Sequence, residues 1–285
     1  MKKLTVFCAA ACLAASAAAQ NHPDLHEVLD RQKGRNLIEI PKGTYTLDVR
    51  SNGPYKFHNL TDVHINGNGS TVICNNQEQA FSFYNCVRVE LRDLTIDYDP
   101  LCFTQGEITA VAEDGSWFDV RIDEGYPVTG LAANRVQFYD PQTRLLKRNS
   151  ITTYTSNYSA LKQLGHNLFR AVKNGTWSAG EQVGDLVVMD VKTDKPNAGV
   201  HTVMLNKCYN TKLENVTVYG SNTFSFFEKE GYANEYRNCV VDRGPMPQGI
   251  RPRLRSGNAD GIHSSQARKG PTVTGCKVGH NGDDC

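Results

Sequence analysis

The chain has 285 residues, 39% of them hydrophobic, which is enough for one large or two modest domains with a buried core. Its 31 basic and 30 acidic residues nearly cancel, so the charge gives no sign of a nucleic-acid partner.

The first 19 residues have the pattern of a secretory signal peptide. Lys2 and Lys3 precede a short apolar run, and Ala17-Ala18-Ala19 forms a small-residue cleavage site before Gln20. We therefore expect an exported protein, in the periplasm, at the cell surface or secreted, with lipid attachment at Cys12 as a weaker alternative. No later stretch is long and apolar enough for a membrane span to be expected.

Removal of this segment takes Cys8 and Cys12 and leaves 9 − 2 = 7 cysteines. The number is odd and no pair has C-x-x-C spacing, so we expect neither a zinc site nor a complete disulfide framework. Four cysteines recur in similar settings and are predicted to be buried, stacked positions at a corner of a repeating fold: Cys86, Cys208, Cys239 and Cys276.

The chain then begins with a short predicted helix and continues as similar strands. Residues 20–35 carry apolar side chains at helical spacing, and this helix is expected to cap the first coil. Asn59–Ile65 resembles Asn85–Leu91, which follows 85 − 59 = 26 residues later. Related strands recur after residue 200, at Tyr209–Val218, Tyr236–Val241 and Gly275–Val278. Coils of about 22–31 residues without intervening helices predict a parallel β-helix.

Residues 100–200 break this period. Asp114-Gly115 lies between two strand-like segments, Glu107–Val111 and Trp117–Ile122, which is a strong hairpin signal. Further strands are predicted at Val136–Pro141 and Leu186–Val191. This pattern predicts an inserted antiparallel β-barrel or small sandwich, and a few elaborated coils are the alternative.

The predicted fold class is therefore all-β, a right-handed parallel β-helix with an inserted antiparallel β-barrel-like module. The predicted boundaries are 1–19 for the signal peptide and 20–99 for the first coils with their amino-terminal cap. The module takes 100–200, and 201–285 forms the coils that carry the candidate site.

Two acidic motifs close the sequence, Asn258–His263 (Asn-Ala-Asp-Gly-Ile-His) and Gly282–Cys285 (Gly-Asp-Asp-Cys). Asp260 precedes Asp283 by 23 residues and Asp284 by 284 − 260 = 24, about one coil of such a fold. We therefore expect the three carboxylates to be neighbours in space, where mutual repulsion would let one act as an acid and another as a base. Gly282 is expected to permit the bend that this needs. Three earlier aspartates are interpreted as turn residues: Asp62, Asp93 and Asp97.

The paired motifs resemble those of β-helix glycoside hydrolases, including the family 28 polygalacturonases. The context of Arg253-Leu254-Arg255-Ser256 and His263-Ser264-Ser265 is more similar to glycoside hydrolase family 110, exo-acting α-1,3-galactosidases of which some act on the blood group B antigen. The resemblance implies an inverting mechanism with Asp283 as the general acid. It also implies that Asp260 and Asp284 position the attacking water molecule and remove its proton. It also implies a longer protein, of which this chain would be the amino-terminal part.

Five further residues are candidates for contacts with the sugar: Asn258, His263, Arg255, Glu228 and Glu230. Alternation along a strand would place the two glutamates on one side. A structural histidine, a solvated basic loop at 251–255 and ordinary surface glutamates are the competing interpretations. No acidic or histidine cluster has metal-ligand spacing, so we expect no metal and no cofactor.

Two other functions stay open. A polygalacturonase-like enzyme would need basic residues for the uronate carboxylate, and 251–255 offers three arginines. A non-catalytic β-helix, such as an adhesin or glycan-binding module, would bind sugar without turnover. A polysaccharide lyase is less favoured because no calcium-type cluster is visible. The expected partner is a glycan, and the sequence leaves linkage and oligomeric state open.

Overall fold

The computed structural model describes residues 22–191 and 200–285, so the predicted signal peptide lies outside the described residues. The described residues are nearly all β, with 21 strands, two short α-helices and one 3-10 helix. Both parallel and antiparallel sheets are present. None of the helices in the described part of the chain has the length and apolarity that a membrane crossing requires.

The elements follow one another in three regions. The first contains α1 (Leu25–Asp30), β1 (Leu37–Glu39), β2 (Thr44–Leu47), α2 (Val49–Asn52), β3 (Tyr55–His58), β4 (His64–Cys74), β5 (Phe81–Tyr84) and β6 (Glu90–Tyr98). The second contains β7 (Phe103–Val111), β8 (Trp117–Ile122), β9 (Leu131–Tyr139), β10 (Thr153–Tyr154), a 3-10 helix (Thr155–Asn157), β11 (Tyr158–Gln163), β12 (Leu168–Lys173) and β13 (Leu186–Val191). The third contains β14 (Val203–Asn206), β15 (Lys212–Val218), β16 (Phe226–Lys229), β17 (Glu235–Arg237), β18 (Val240–Val241), β19 (Ile262–Ser265), β20 (Thr272–Thr274) and β21 (Lys277–Val278).

The first and third regions together form two parallel sheets. A nine-stranded sheet follows the order β1-β4-β6-β15-β17-β20 with three short strands beside this path, and a five-stranded sheet follows β3-β5-β14-β16-β19. The chain alternates between them, so each strand lies beside the one that comes a pass later. Ile65 faces Leu91 in register, as the 26-residue repeat predicts. Leu91 in turn faces Leu213, so the passes continue directly across the inserted region.

Left-handed residues mark one corner of these passes in two columns. Each column joins successive passes through backbone hydrogen bonds of 2.9–3.1 Å, and its φ angles lie between 51° and 56°. The first column contains Asn59, Asn85, Lys207, Glu230 and Gln266, and the second contains Asp62, Arg88, Asn210 and Ala233. Asparagine and aspartate tolerate this conformation better than most residues, which explains the small polar corners of the repeat.

The interior between the parallel sheets is apolar and aromatic. Along β3 the side chains alternate between buried and exposed, and Phe57 stacks on Phe83 of the next pass at 4.7 Å. Cys86 and Cys208 lie buried at the corner described above. Cys239 and Cys276 belong to a different corner, before β18 and β21, and Cys276 is only partly buried, so the four cysteines occupy two corners and not the one that was predicted.

The inserted region is a seven-stranded antiparallel sheet with the order β10-β9-β13-β7-β8-β12-β11. The predicted hairpin at Asp114-Gly115 joins β7 to β8. The two edge strands are connected only by the 3-10 helix, so the sheet is nearly closed and barrel-like. It has its own aromatic core, in which Phe118 meets Phe138 edge to face at 5.7 Å. The prediction of an antiparallel module is confirmed.

A loop before the acidic motifs lies between this module and the parallel sheets. Arg253 donates two 2.8 Å hydrogen bonds to Asp97 of β6, and both side chains are almost fully buried. Gln105 of β7 donates to the Pro252 carbonyl and accepts from the Leu254 backbone N–H. The interpretation of Asp97 as a turn residue is therefore wrong, because it is the buried partner of an arginine.

Candidate active site

The backbone brings the two acidic motifs together, one pass apart. The Ser225 N–H donates to the Asp260 carbonyl at 3.0 Å, and the Gly261 N–H donates to the Asp284 carbonyl at 3.1 Å. The same pattern of hydrogen bonds aligns β16 with β19, so the motif with Asp283 and Asp284 continues the stack of passes. The spacing of 24 residues thus corresponds to one pass in this part of the chain.

Asp260 is held by a histidine that belongs to an aromatic stack. His263 Nδ1 lies 2.7 Å from Asp260 Oδ2, and the Asp260 side chain is 17% exposed. The His263 ring is parallel to Phe224 at 4.1 Å, and the Phe224 ring is parallel to His201 at 4.9 Å. Burial, together with the neighbouring His263, lowers the pKa of His201 to about 4. A neutral histidine thus forms the buried end of the stack beside Asp260.

Asp283 is held by an arginine from the antiparallel module. Arg135 of β9 donates from Nη2 to Asp283 Oδ2 at 2.7 Å and from Nη1 to the Asn258 carbonyl. The arginine side chain is 11% exposed, whereas Asp283 is 52% exposed. Burial lowers the pKa of Arg135, but the contact with Asp283 outweighs it and the pKa is raised. The cation is therefore permanent.

Gly282 fits a place where no side chain has room. A Cβ at this position would lie 2.3 Å from the Asn258 carbonyl oxygen and 3.0 Å from Gln137 Oε1. Gln137 also donates to the Gly282 carbonyl at 2.7 Å. The two motifs and the module approach one another so closely here that only glycine fits. This is a second reason for glycine at position 282, besides the bend expected from the sequence.

Arg255 and Asn258 connect the first motif, Asn258–His263, to Asp190 of the antiparallel module. Arg255 is fully buried, and its Nη2 donates to Asp190 Oδ1 of β13 at 2.8 Å. Asn258 donates to Asp190 Oδ2 at 3.1 Å and to the Asn222 carbonyl at 3.0 Å. Burial raises the pKa of Asp190, and Arg255 opposes this rise. The prediction of Arg255 as a sugar contact is wrong, because the side chain has no exposed surface.

The two glutamates do not share a face. Glu228 is fully buried, where it accepts from Asn234 Nδ2 at 3.0 Å and from Ser264 Oγ at 2.7 Å. Glu230 lies at the left-handed corner and contacts Lys207 at 3.8 Å. The Glu230 N–H donates to the Ser265 carbonyl. Ser265 comes five residues after Asp260, which corresponds to about 16 Å along an extended strand. Neither glutamate is placed to contact a sugar at Asp260.

Three module residues at the site were not predicted from the sequence: Arg135, Gln137 and Asp190. They lie on β9 and β13, which were predicted from their apolar residues alone. Arg135 and Gln137 are two apart and so point to the same face of β9. Only the packing of the module against the acidic motifs and the loop before them identifies these residues, because no motif or spacing links them to partners 65–148 positions away in the sequence.

Two cavities of about 300 and 290 Å³ lie elsewhere. The first is lined mainly by β3 and the loop after α1, and the second lies on the module around Asp123 and Arg251. Neither is lined by any of the three aspartates. Among the described residues, no group of three or more histidine, cysteine, aspartate or glutamate side chains is arranged to hold a metal ion.

Comparison with known proteins does not identify a family for this chain. No family model matches the sequence, and no curated protein matches it. The chain is similar in structure to a protein from Parabacteroides merdae ATCC 43184 described as a "putative glycosyl hydrolase". The identity is 9% and the TM-score 0.34, over 89% of this chain and 84% of that chain. A structural similarity at this level says nothing about activity, so a function has to be inferred from the geometry of the site.

Proposed function

We propose that the protein is an exported glycoside hydrolase with a right-handed parallel β-helix, and that it releases terminal α-1,3-linked galactose from glycans. The observation that supports this is the hydrogen bond between the Gly261 N–H and the Asp284 carbonyl, which brings the motif of Asp260 beside that of Asp283 and Asp284. Hydrolysis of a glycosidic bond needs one carboxylic acid and one carboxylate on either side of that bond. The two motifs supply both.

In the proposed mechanism Asp283 donates a proton to the glycosidic oxygen as the bond from that oxygen to the sugar C1 breaks. Asp260 and Asp284 orient a water molecule and take its proton as the water oxygen bonds to C1 from the opposite face, which inverts the anomeric configuration. Arg135 Nη2 donates to Oδ2 of Asp283, so in this mechanism Oδ1 is the oxygen that faces the glycosidic oxygen. His263 fixes the orientation of Asp260.

The charges around the site favour a neutral sugar over a uronate. Arg253 and Arg255 are buried against Asp97 and Asp190. Arg251 contacts Asp123 at 3.1 Å and Glu107 at 3.6 Å. Each arginine offered by 251–255 for a uronate carboxylate thus already has a carboxylate partner. A galactoside needs no such cation, so we place the polygalacturonase-like function second and a sugar-binding module without turnover third.

The first prediction tests this function directly. The natural protein is incubated with linear and branched B-type α-1,3-galactosides and, separately, with oligogalacturonides, and the released sugar is followed by proton NMR. We expect galactose to appear first as the β-anomer. The Asp283→Asn variant is expected to lose at least about 10²-fold in kcat, since general acid catalysis contributes about 10²–10⁴-fold.

Each alternative has its own outcome in this experiment. Release of galacturonate alone would assign the polygalacturonase-like function. Initial release of the α-anomer would contradict inversion, and sugar binding without turnover would assign the non-catalytic function. Wild-type turnover by Asp283→Asn would remove Asp283 from the mechanism.

A further inference from the structure

Arg135 touches both acidic motifs at once. Its guanidinium binds the Asn258 carbonyl, two residues before Asp260, and the Asp283 carboxylate. Two residues further along β9, Gln137 binds the Gly282 carbonyl. One face of a single strand of the antiparallel module therefore spans the junction between the two passes that carry the carboxylates.

Such a contact controls the distance between the carboxylates of Asp283 and Asp260. Inverting glycosidases keep their acid and base about 6.5–9.5 Å apart to leave room for water, and an error of about 1 Å in placement costs roughly 10²-fold in rate. Asp283 is half exposed and follows a glycine, so its position depends strongly on its partner. A guanidinium is a rigid fork with several donors, and it can fix a carbonyl and a carboxylate relative to each other.

We infer that Arg135 is a positioning residue that sets Asp283 relative to Asp260, and that the antiparallel module is thereby part of the active site. The inference rests on the proposed hydrolase function. Arg135 acts through Asp283 and takes no part in proton transfer. Its loss is therefore expected to lower kcat while KM stays nearly unchanged, because the contact affects the placement of the acid in the transition state and not the binding of the substrate.

The test compares Arg135→Gln and Arg135→Lys with a matched change elsewhere in the module. Arg170 also pairs with an aspartate of the module, but away from the acidic motifs: it lies on β12 and donates to both oxygens of Asp119 on β8 at 2.7 and 2.8 Å. We expect Arg135→Gln to lower kcat about 10²-fold and Arg135→Lys to recover part of this loss by keeping the charge. Arg170→Gln should lower the melting temperature and leave kcat at the wild-type value.

Two results would overturn the inference. One is a wild-type kcat in Arg135→Gln, and the other is an equal loss of kcat in Arg135→Gln and Arg170→Gln, which would reveal a purely structural role. The contact is also measured without turnover, from melting temperatures of Arg135→Gln, Asp283→Asn and the double variant. If the melting temperature of the double variant falls by less than the sum of the falls in the two single variants, the contact is supported. Additive falls contradict it. A wild-type protein that cleaves no glycoside contradicts the proposed function itself, whatever this cycle gives.

Discussion

His201 lies buried against the parallel ring of Phe224, and Thr223 Oγ1 lies 2.9 Å from its Nδ1. Its pKa is lowered to about 4 by burial and by His263, whereas an exposed histidine has a pKa of 6.5. Below pH 6.5 the unfolded chain therefore binds a proton at this residue that the native protein does not bind. The resulting stability is fully present above pH 6.5 and is lost as the pH falls towards 4.

Acid is therefore expected to destabilise the protein through His201. Between pH 7.5 and 4.5, His201 is expected to contribute about 2 kcal/mol to the loss of unfolding free energy. His201→Phe keeps an aromatic ring in the stack and removes the titration, so its loss over the same interval should be smaller by about this amount. Urea denaturation at both pH values measures the difference. An identical loss in both proteins would show that His201 does not titrate in this way.

Single charged residues show where the sequence is least informative. Asp260, Asp283 and Asp284 are predicted together because their neighbours and their spacing form a pattern. Arg255 and Glu228 looked like candidates for the sugar, yet both are buried in internal hydrogen bonds. Whether a charged side chain meets water or a buried partner depends on another element of the fold, and one sequence does not contain that information.

At the scale of elements, the strands could be predicted and their corners only in part. Alternating apolar residues identify β4, β6 and β15, because the inner face of each pass must be apolar. The left-handed corners were recognisable where asparagine or aspartate stands, as at Asn85 and Asp62. Glu230 and Ala233 occupy equivalent corners without such a signal. The expected alternation from Glu228 to Glu230 fails for this reason, since the strand ends at Lys229.

Ala233 occupies a left-handed corner that glycine would adopt with less strain. Its φ of 52° costs a non-glycine residue about 1–2 kcal/mol, so Ala233→Gly is expected to raise the unfolding free energy by about 0.5 kcal/mol after the added freedom of the unfolded chain. The matched control is Ala110→Gly within β7, which should lower it by about 0.5–1 kcal/mol. Chemical denaturation distinguishes the two signs, and destabilisation by both changes would contradict the corner geometry.

At the scale of the whole molecule, the loop from Pro252 to Asn258 connects two separate cores. The sequence predicted the two kinds of sheet and their order, because repeat length and hairpin turns are local signals. It did not predict that the loop arginines would be buried between them. Arg253 binds β6 of the parallel sheets, and Arg255 binds β13 of the module. The segment that leads into Asp260 is therefore fixed from both sides.

The buried Arg253–Asp97 pair is expected to matter strongly for stability. Removing one partner of a buried ion pair leaves the other charge without compensation and costs about 3–5 kcal/mol, so Asp97→Asn is expected to lower the unfolding free energy by about that amount. Asp62→Asn is the control, since it removes one partner of the exposed Arg88–Asp62 pair, which has a similar two-bond geometry, and should change stability little.

The same variant tests whether the two cores unfold together. Both tryptophans of the chain, Trp117 and Trp177, lie in the inserted module, so their fluorescence follows the module alone while far-UV circular dichroism follows all strands. If the loop couples the cores, the two signals change together in the wild-type protein and separate in Asp97→Asn, because the loop, which Arg255 still joins to the module, has lost its buried ion pair with β6. Coincident transitions in Asp97→Asn, at a stability close to that of Asp62→Asn, would mean that other contacts join the module to the parallel sheets.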